Sequence, residues 1–116
     1  MKSVSKINFN QEVIQSHLPV VVSFWAPWCG LCRLIEPILQ QIQANGTIPL
    51  KVVRINADEN FHLARQYRLQ SLPTLLLFEG GELRERFDPQ SVKGDLRAAV
   101  QQLVESLSRQ PCLQKD

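Results

Sequence analysis

Cys29 and Cys32 are the residues of this chain whose type and spacing point most directly to covalent chemistry. If a helix runs through them, their sulfurs lie about one turn apart, close enough to close into a disulfide and open again. The run ahead of them, Val20-Val21-Val22-Ser23-Phe24-Trp25, is mostly apolar and β-branched, and the run after them has helical spacing. A strand that feeds a Cys-x-x-Cys at the start of a helix is a redox signal. At that helix start Cys29 meets unpaired backbone N–H groups and the positive end of the helix dipole, and both favour a thiolate. The thiolate is the form that attacks a disulfide. Cys32, one turn further in, is placed to attack the resulting mixed disulfide and release the target. The competing reading is half of a zinc site. Zinc wants four ligands, and His17, His62 and Cys112 supply no second pair at readable spacing, so no metal is expected. Cys112 follows Pro111 in a polar tail and reads as an incidental exposed thiol, with an intermolecular disulfide or a modification site as the sharper alternative.

The elements that must hold these thiols follow from pattern. Val4-Ser5-Lys6-Ile7 is a short strand candidate, and Asn8 or Asn10 can cap a following helix whose apolar face is Phe9, Val13 and Ile14. His17-Leu18-Pro19 closes that helix, because a residue before proline avoids the helical region. Val20 to Trp25 reads as a buried central strand. The next helix runs from Cys29 to about Ala44 on Leu34, Ile35, Ile38, Leu39 and Ile42, with a kink at Pro37 and a left-handed cap at Asn45-Gly46. Leu50 to Ile55 is a parallel strand, and Asp58 or Asn60 starts a short helix through Tyr67. Leu75–Phe78 and Leu83–Phe87 form a hairpin around Glu79-Gly80-Gly81-Glu82. After a loop at 88–91, the last helix is expected from Ser91 or Val92 to Ser108, with a stripe of Leu96, Val100, Leu103, Val104 and Leu107. The order, βαβαβ then ββα, predicts an α/β fold: a central mixed β-sheet flanked by helices on both faces.

With 116 residues the chain suits one domain, expected at 1–110 with a tail at 111–116. A net charge of +2, from basic residues scattered among acids, gives no nucleic-acid or membrane footprint. Three cysteines do not make a disulfide scaffold. The N-terminus has no apolar core of signal-peptide length, and no run approaches the ~20 apolar residues of a membrane span. The expectation is a soluble, cytoplasmic monomer, or an organellar one if a transit peptide has been removed.

Taken with its flanks, the site resembles the thioredoxin family. The matching residues are Phe24-Trp25-Ala26, Trp28-Cys29-Gly30-x-Cys32, Pro37, and later Leu72-Pro73-Thr74 followed by Leu75-Leu76-Leu77-Phe78-Glu79-Gly80-Gly81. They span most of the chain, roughly Val4 to Leu107. The resemblance implies the thioredoxin fold and a thiol–disulfide oxidoreductase that reduces protein disulfides through Cys29 and Cys32. It needs no organic cofactor or metal. Its electron donor would be a thioredoxin reductase-type partner, with nicotinamide–flavin or ferredoxin chemistry both open. The resemblance also implies a cis bond at Pro73 lying against the Cys-x-x-Cys, with the Leu72 backbone free to pair with an extended target peptide. Trp28, Gly30 and Leu31 complete the substrate-binding set. Trp28 is expected to cover the site, Gly30 to leave the turn open, Pro27 to stiffen the loop, and Trp25 to pack in the sheet core.

Three departures from the family stand out. Leu31 occupies the place of a proline, which should make the disulfide easier to reduce. Ser23 stands in place of a buried aspartate behind the resolving thiol, and serine is no base near neutral pH. Arg54, where a lysine is usual, is thereby left without a carboxylate to pair. Asp88-Pro89 replaces a glycine-containing turn, and should narrow or reshape the substrate groove. These departures keep two rivals open: a thioredoxin-fold binding module with slow or no turnover, and an oxidase or isomerase of an oxidising compartment.

Overall fold

The computed structural model describes residues 1–46 and 48–106; the expected helix end at Leu107 and Ser108, the domain boundary at 110 and the tail with Cys112 lie outside the described residues. In chain order the elements are β1 (Lys2–Ser3), a π-helical turn (Asn10–Ile14), β2 (Val20–Trp25), α1 (Gly30–Asn45), β3 (Lys51–Asn56), α2 (Phe61–Gln66), β4 (Thr74–Glu79), β5 (Glu82–Phe87), a 3-10 turn (Pro89–Ser91) and α3 (Leu96–Glu105). One five-stranded sheet results, in the order β1-β3-β2-β4-β5. β3 runs parallel to β1 and β2, whereas β4 runs antiparallel to β2 and β5. The mixed sheet is the one expected.

Side chains alternate across a strand, so β2, β3 and β4 each feed two cores. Val21, Val52, Leu75 and Leu77 pack against Ile35, Leu39 and Ile42 of α1 and Val100, Leu103 and Val104 of α3. Val20, Val22, Phe24, Val53, Ile55, Leu76 and Phe78 pack on the other face against Val4, Phe9, Val13 and Leu63. Both faces of β2 and β4 are therefore largely dry, which is why their sequences are near-continuous apolar runs. By the same alternation Ser23, Trp25 and Arg54 share the face covered by α1.

Several boundaries differ from the sequence reading, each for a local reason. The first strand is Lys2–Ser3 rather than Val4–Ile7: only Val4 extends its pairing, by donating to the Arg54 carbonyl, and Ser5 turns away as its N–H is taken by the Asn8 side chain. Asn8 is thus spent on that turn, and neither it nor Asn10 caps the π-helical turn, whose N-terminal flanking residue is Phe9. Asn60 does precede α2, but its side chain accepts from Lys6 N–H and donates to the Asn56 carbonyl instead of capping the helix. Gly46 ends α1 in an extended conformation (φ −74°, ψ 154°), not a left-handed one. Glycine is needed there for space, since a Cβ would lie 2.6 Å from the Ile42 carbonyl oxygen. α3 starts at Leu96 rather than near Ser91, because Asp95 accepts from Ala98 N–H as its cap while Ser91 and Val92 are held in the 3-10 turn. The Gly80–Gly81 hairpin turn is as expected, with φ +61° and +83°.

The π-helical turn is tied to the sheet by charge. Glu12 meets Lys2 Nζ at 2.8 Å and Lys51 Nζ at 2.5 Å. Hydrogen bonds from Lys2 and then Lys51 hold its carboxyl down at about 2.

Candidate active site

β2 delivers the chain to the site, and α1 begins there. Cys29 N–H donates to the Ala26 carbonyl at 3.1 Å, folding the 26–29 segment into a turn. Cys29 is the extended residue that flanks α1 at its N-terminus (φ −92°, ψ 109°). Cys29 and Cys32 form a disulfide, with Cα atoms 5.4 Å apart. Cys32 N–H donates to Cys29 Sγ at 3.2 Å. This is the bond an N-capping side chain makes, and it places a donor and the positive helix end on the Cys29 sulfur. Both cysteines are largely covered, at 5% and 6% exposure, so burial does not distinguish their roles. Gly30 is exposed, and a side chain there would meet nothing within 4 Å, so no group stands over that part of the turn. Leu31 is half-buried. Pro27 does more than stiffen the loop: its carbonyl accepts from Arg33 at 2.7 Å, tying the turn to the first turn of α1.

On one side of the disulfide lies an exposed, partly apolar surface. Trp28 is 68% exposed and fixed at its rim by a 3.0 Å hydrogen bond from Nε1 to Asp58 Oδ2. A shallow cleft of about 240 Å³ lies between Trp28, Phe61, Ala64, Leu69 and Leu72. Leu72-Pro73 is cis and Pro73 is buried, as the resemblance implied. Thr74 pairs with Phe24, so Pro73 enters β4 at the end of the sheet where β2 hands over to the cysteines. The Leu72 backbone is not wholly free: its carbonyl accepts from the Gln90 side chain. Asp88 reaches the same loop, where its Oδ2 accepts from Ser71 Oγ at 3.4 Å while Oδ1 is covered and without a hydrogen bond. Asp58 and Gln90 could not be picked out in the sequence, because their partners lie 30 and 18 residues away.

The other side faces the sheet and α1. A cleft of about 260 Å³ is lined by Trp25, Ala26, Pro27, Cys32, Arg33, Glu36 and Arg54. Ser23 is buried and stands opposite Arg54 in the register. Arg54 is not left unpaired: its Nε lies 3.1 Å from Glu36 Oε2, as a charge contact without hydrogen-bond alignment. Its guanidinium also stacks 4.0 Å over the Trp25 ring. Trp25 is therefore a half-exposed wall of this cleft rather than a core residue. Glu36 is the residue that the sequence reading missed. Its signal was its position four residues after Cys32, on the same helical face.

Another cleft, about 510 Å³, lies between β5 and α3 around Phe87 and Leu103, and its described lining residues include no cysteine or histidine. Among the described residues no group of three or more His, Cys, Asp or Glu side chains could hold a metal, and no helix is long and apolar enough to cross a membrane.

The family model for thioredoxin matches residues 1–102. The chain is 45% identical over 82 residues to a thioredoxin of Pyropia yezoensis, covering 71% of this chain and 77% of that protein. It is 47% identical over 79 residues to a thioredoxin of Synechocystis, covering 68% of this chain and 74% of that protein. Over 80 residues it is 41% identical to a chloroplastic M-type thioredoxin of Chlamydomonas reinhardtii, covering 69% of this chain and 57% of that protein. A mixed sheet that presents a Cys-x-x-Cys disulfide at a helix start, opposite a cis-proline strand, agrees with these matches, and the chain belongs to the thioredoxin family.

Proposed function

We propose that Cys29 is the nucleophile and Cys32 the resolving thiol of a protein-disulfide reductase. The carrying observation is the hydrogen bond from Cys32 N–H to Cys29 Sγ at the start of α1, which favours negative charge on the Cys29 sulfur. In the reduced protein the Cys29 thiolate attacks a target disulfide, forming a Cys29–target mixed disulfide and expelling one target thiolate. The Cys32 thiolate then attacks Cys29 Sγ, expelling the second target thiolate and closing the Cys29–Cys32 disulfide. The target gains two electrons and the pair loses two. A dithiol donor of the reductase type returns them, and the disulfide is the only redox group needed.

Trp28, Gly30, Leu31, Leu72 and Pro73 frame the approach of an extended target segment. The cleft beside Trp28 and Leu72 supports this reading. The Leu72 carbonyl already accepts from the Gln90 side chain, so a pairing target shares or displaces that bond. The scattered charge supports protein targets rather than nucleic acid or a membrane surface. A reducing compartment, cytoplasmic or organellar, suits a pair that must be returned to thiols.

Insulin reduction driven by dithiothreitol tests the reading. The expected result is marked acceleration of precipitation. Absence of acceleration favours the rival in which the groove binds partners without turnover, a rival motivated by Ser23 and Asp88.

A further inference from the structure

We infer that Glu36, held by Arg54, is the group that takes the proton from Cys32 when the mixed disulfide is resolved. The inference rests on the reading of Cys32 as the resolving thiol. Resolution needs Cys32 as a thiolate, and a free thiol near pH 7 is mostly protonated. Something beside it must accept that proton. Cys32 is 6% exposed, and it lines the 260 Å³ cleft on the α1 side of the sheet, which is its route to water. The titratable or charged groups lining that cleft are Cys32, Arg33 and Glu36 from α1 and Arg54 from β3. Arginine stays protonated and accepts nothing. Ser23, on the same face of β2, has no basic function near neutral pH. Glu36 is therefore the cleft's available acceptor.

Its placement suits the role. Cys32 and Glu36 are four residues apart on α1, so their side chains lie one above the other on one face. Arg54 Nε holds Glu36 Oε2 at 3.1 Å, and its guanidinium is itself backed by the Trp25 ring at 4.0 Å. The cleft is wide enough for water to bridge thiol and carboxylate. A carboxylate alone would oppose a thiolate nearby. Here two arginines outnumber it, so the cleft tolerates the charge that moves between Cys32 and Glu36. The step balances: the Cys32 thiol passes its proton through water to the Glu36 carboxylate. The Cys32 sulfur then forms its bond to Cys29 Sγ as the Cys29–target bond breaks. The leaving target thiolate takes up a proton from Glu36 or solvent.

The test is stopped-flow single turnover with a disulfide peptide, separating attack by Cys29 from release of the second thiol. In Glu36→Gln the attack rate should stay within about twofold and the release rate at pH 7 should fall roughly tenfold. The deficit should close above about pH 9, where the thiol ionises without help. Glu36→Asp should restore part of the rate. In the unaltered protein, release should stay nearly level from pH 6 to 8, whereas an unassisted thiol gives about a tenfold rise per pH unit. That profile decides the matter even if Glu36→Gln does not fold. Equal release rates in Glu36→Gln and the unaltered protein, or a tenfold-per-unit rise in the latter, would overturn the inference and leave Cys29 and Cys32 in their roles. Failure of any mixed disulfide to form would overturn both.

Discussion

Cys29 and Cys32 are three residues apart and joined to each other, yet they face different surroundings. Cys29 lies in the turn between the exposed Trp28 and the exposed Gly30. Cys32 backs onto a cleft whose walls are charged, made by Arg33, Glu36 and Arg54. The first surface carries two of the departures from the family, at Leu31 and Asp88, while the second has Ser23 behind it and carries an arginine–glutamate contact. The difference teaches that capture of a target and its release are separable properties of this site. Capture depends on a helix end and on backbone geometry, which tolerate few substitutions. Release depends on a proton acceptor, which more than one position on the cleft wall can supply.

The bluntest way to break the comparison is to remove the capturing sulfur. Cys29→Ser should abolish insulin reduction to the uncatalysed background, since among the described residues Cys29 alone is a thiol at a helix start. Residual turnover above background would mean that Cys32 captures targets itself. Next in size is Leu31→Pro. Restoring the family's residue should move the potential of the pair in the negative direction by about 30 mV, or about tenfold in the equilibrium constant, as read against a glutathione buffer. No shift would remove Leu31 from the account. Smaller is Ser23→Asp, which places a second acceptor behind the cleft, opposite Arg54 in the sheet. Release of target should rise by about threefold, and urea melts should show a loss of stability, because the buried carboxylate is desolvated. An unchanged release rate would mean that proton removal does not limit the step.

The weakest effect concerns the other charged contact on β3. Glu12, with its carboxyl at about 2 against an ordinary 4.5, favours the folded state fully above about pH 4.5 and loses that contribution as pH falls towards 2. Glu12→Gln should therefore flatten the acid limb of the stability curve in that window and leave both redox rates unchanged. A change in release rate would mean that charge at either end of β3 reaches the thiols, and the cleft would lose its special standing.

Where local pattern decides structure, the sequence was easy to read. β2 ran from Val20 to Trp25 as expected, because a strand buried on both faces is apolar throughout. α1 held together across Pro37, because Ile35, Leu39 and Ile42 anchor it to the sheet on either side. The Cys29–Cys32 pair followed from its spacing, whereas the cis Leu72-Pro73 bond followed from the family resemblance. What escaped the reading was whatever depends on distant partners. Asn8 and Asn60 have the right side chains for helix caps, but each is taken by another backbone group, Asn60 by one 54 residues away. Arg54 looked unpaired because the expected partner position, 23, is a serine. Its actual partner comes from α1, and only the packing of that helix on β3 brings the two together. Gly46 signalled a turn correctly but for the wrong reason, since a close carbonyl rather than a left-handed backbone excludes a side chain there.

The most direct test of the division of labour is trapping. Cys32→Ser, reduced and mixed with a disulfide-bonded protein such as insulin, should accumulate a stable mixed disulfide that peptide mapping by mass spectrometry locates at Cys29. Cys29→Ser treated in the same way should accumulate none. An adduct on Cys32 in the Cys29→Ser protein as abundant as that on Cys29 in its counterpart, or no adduct in either, would contradict the account.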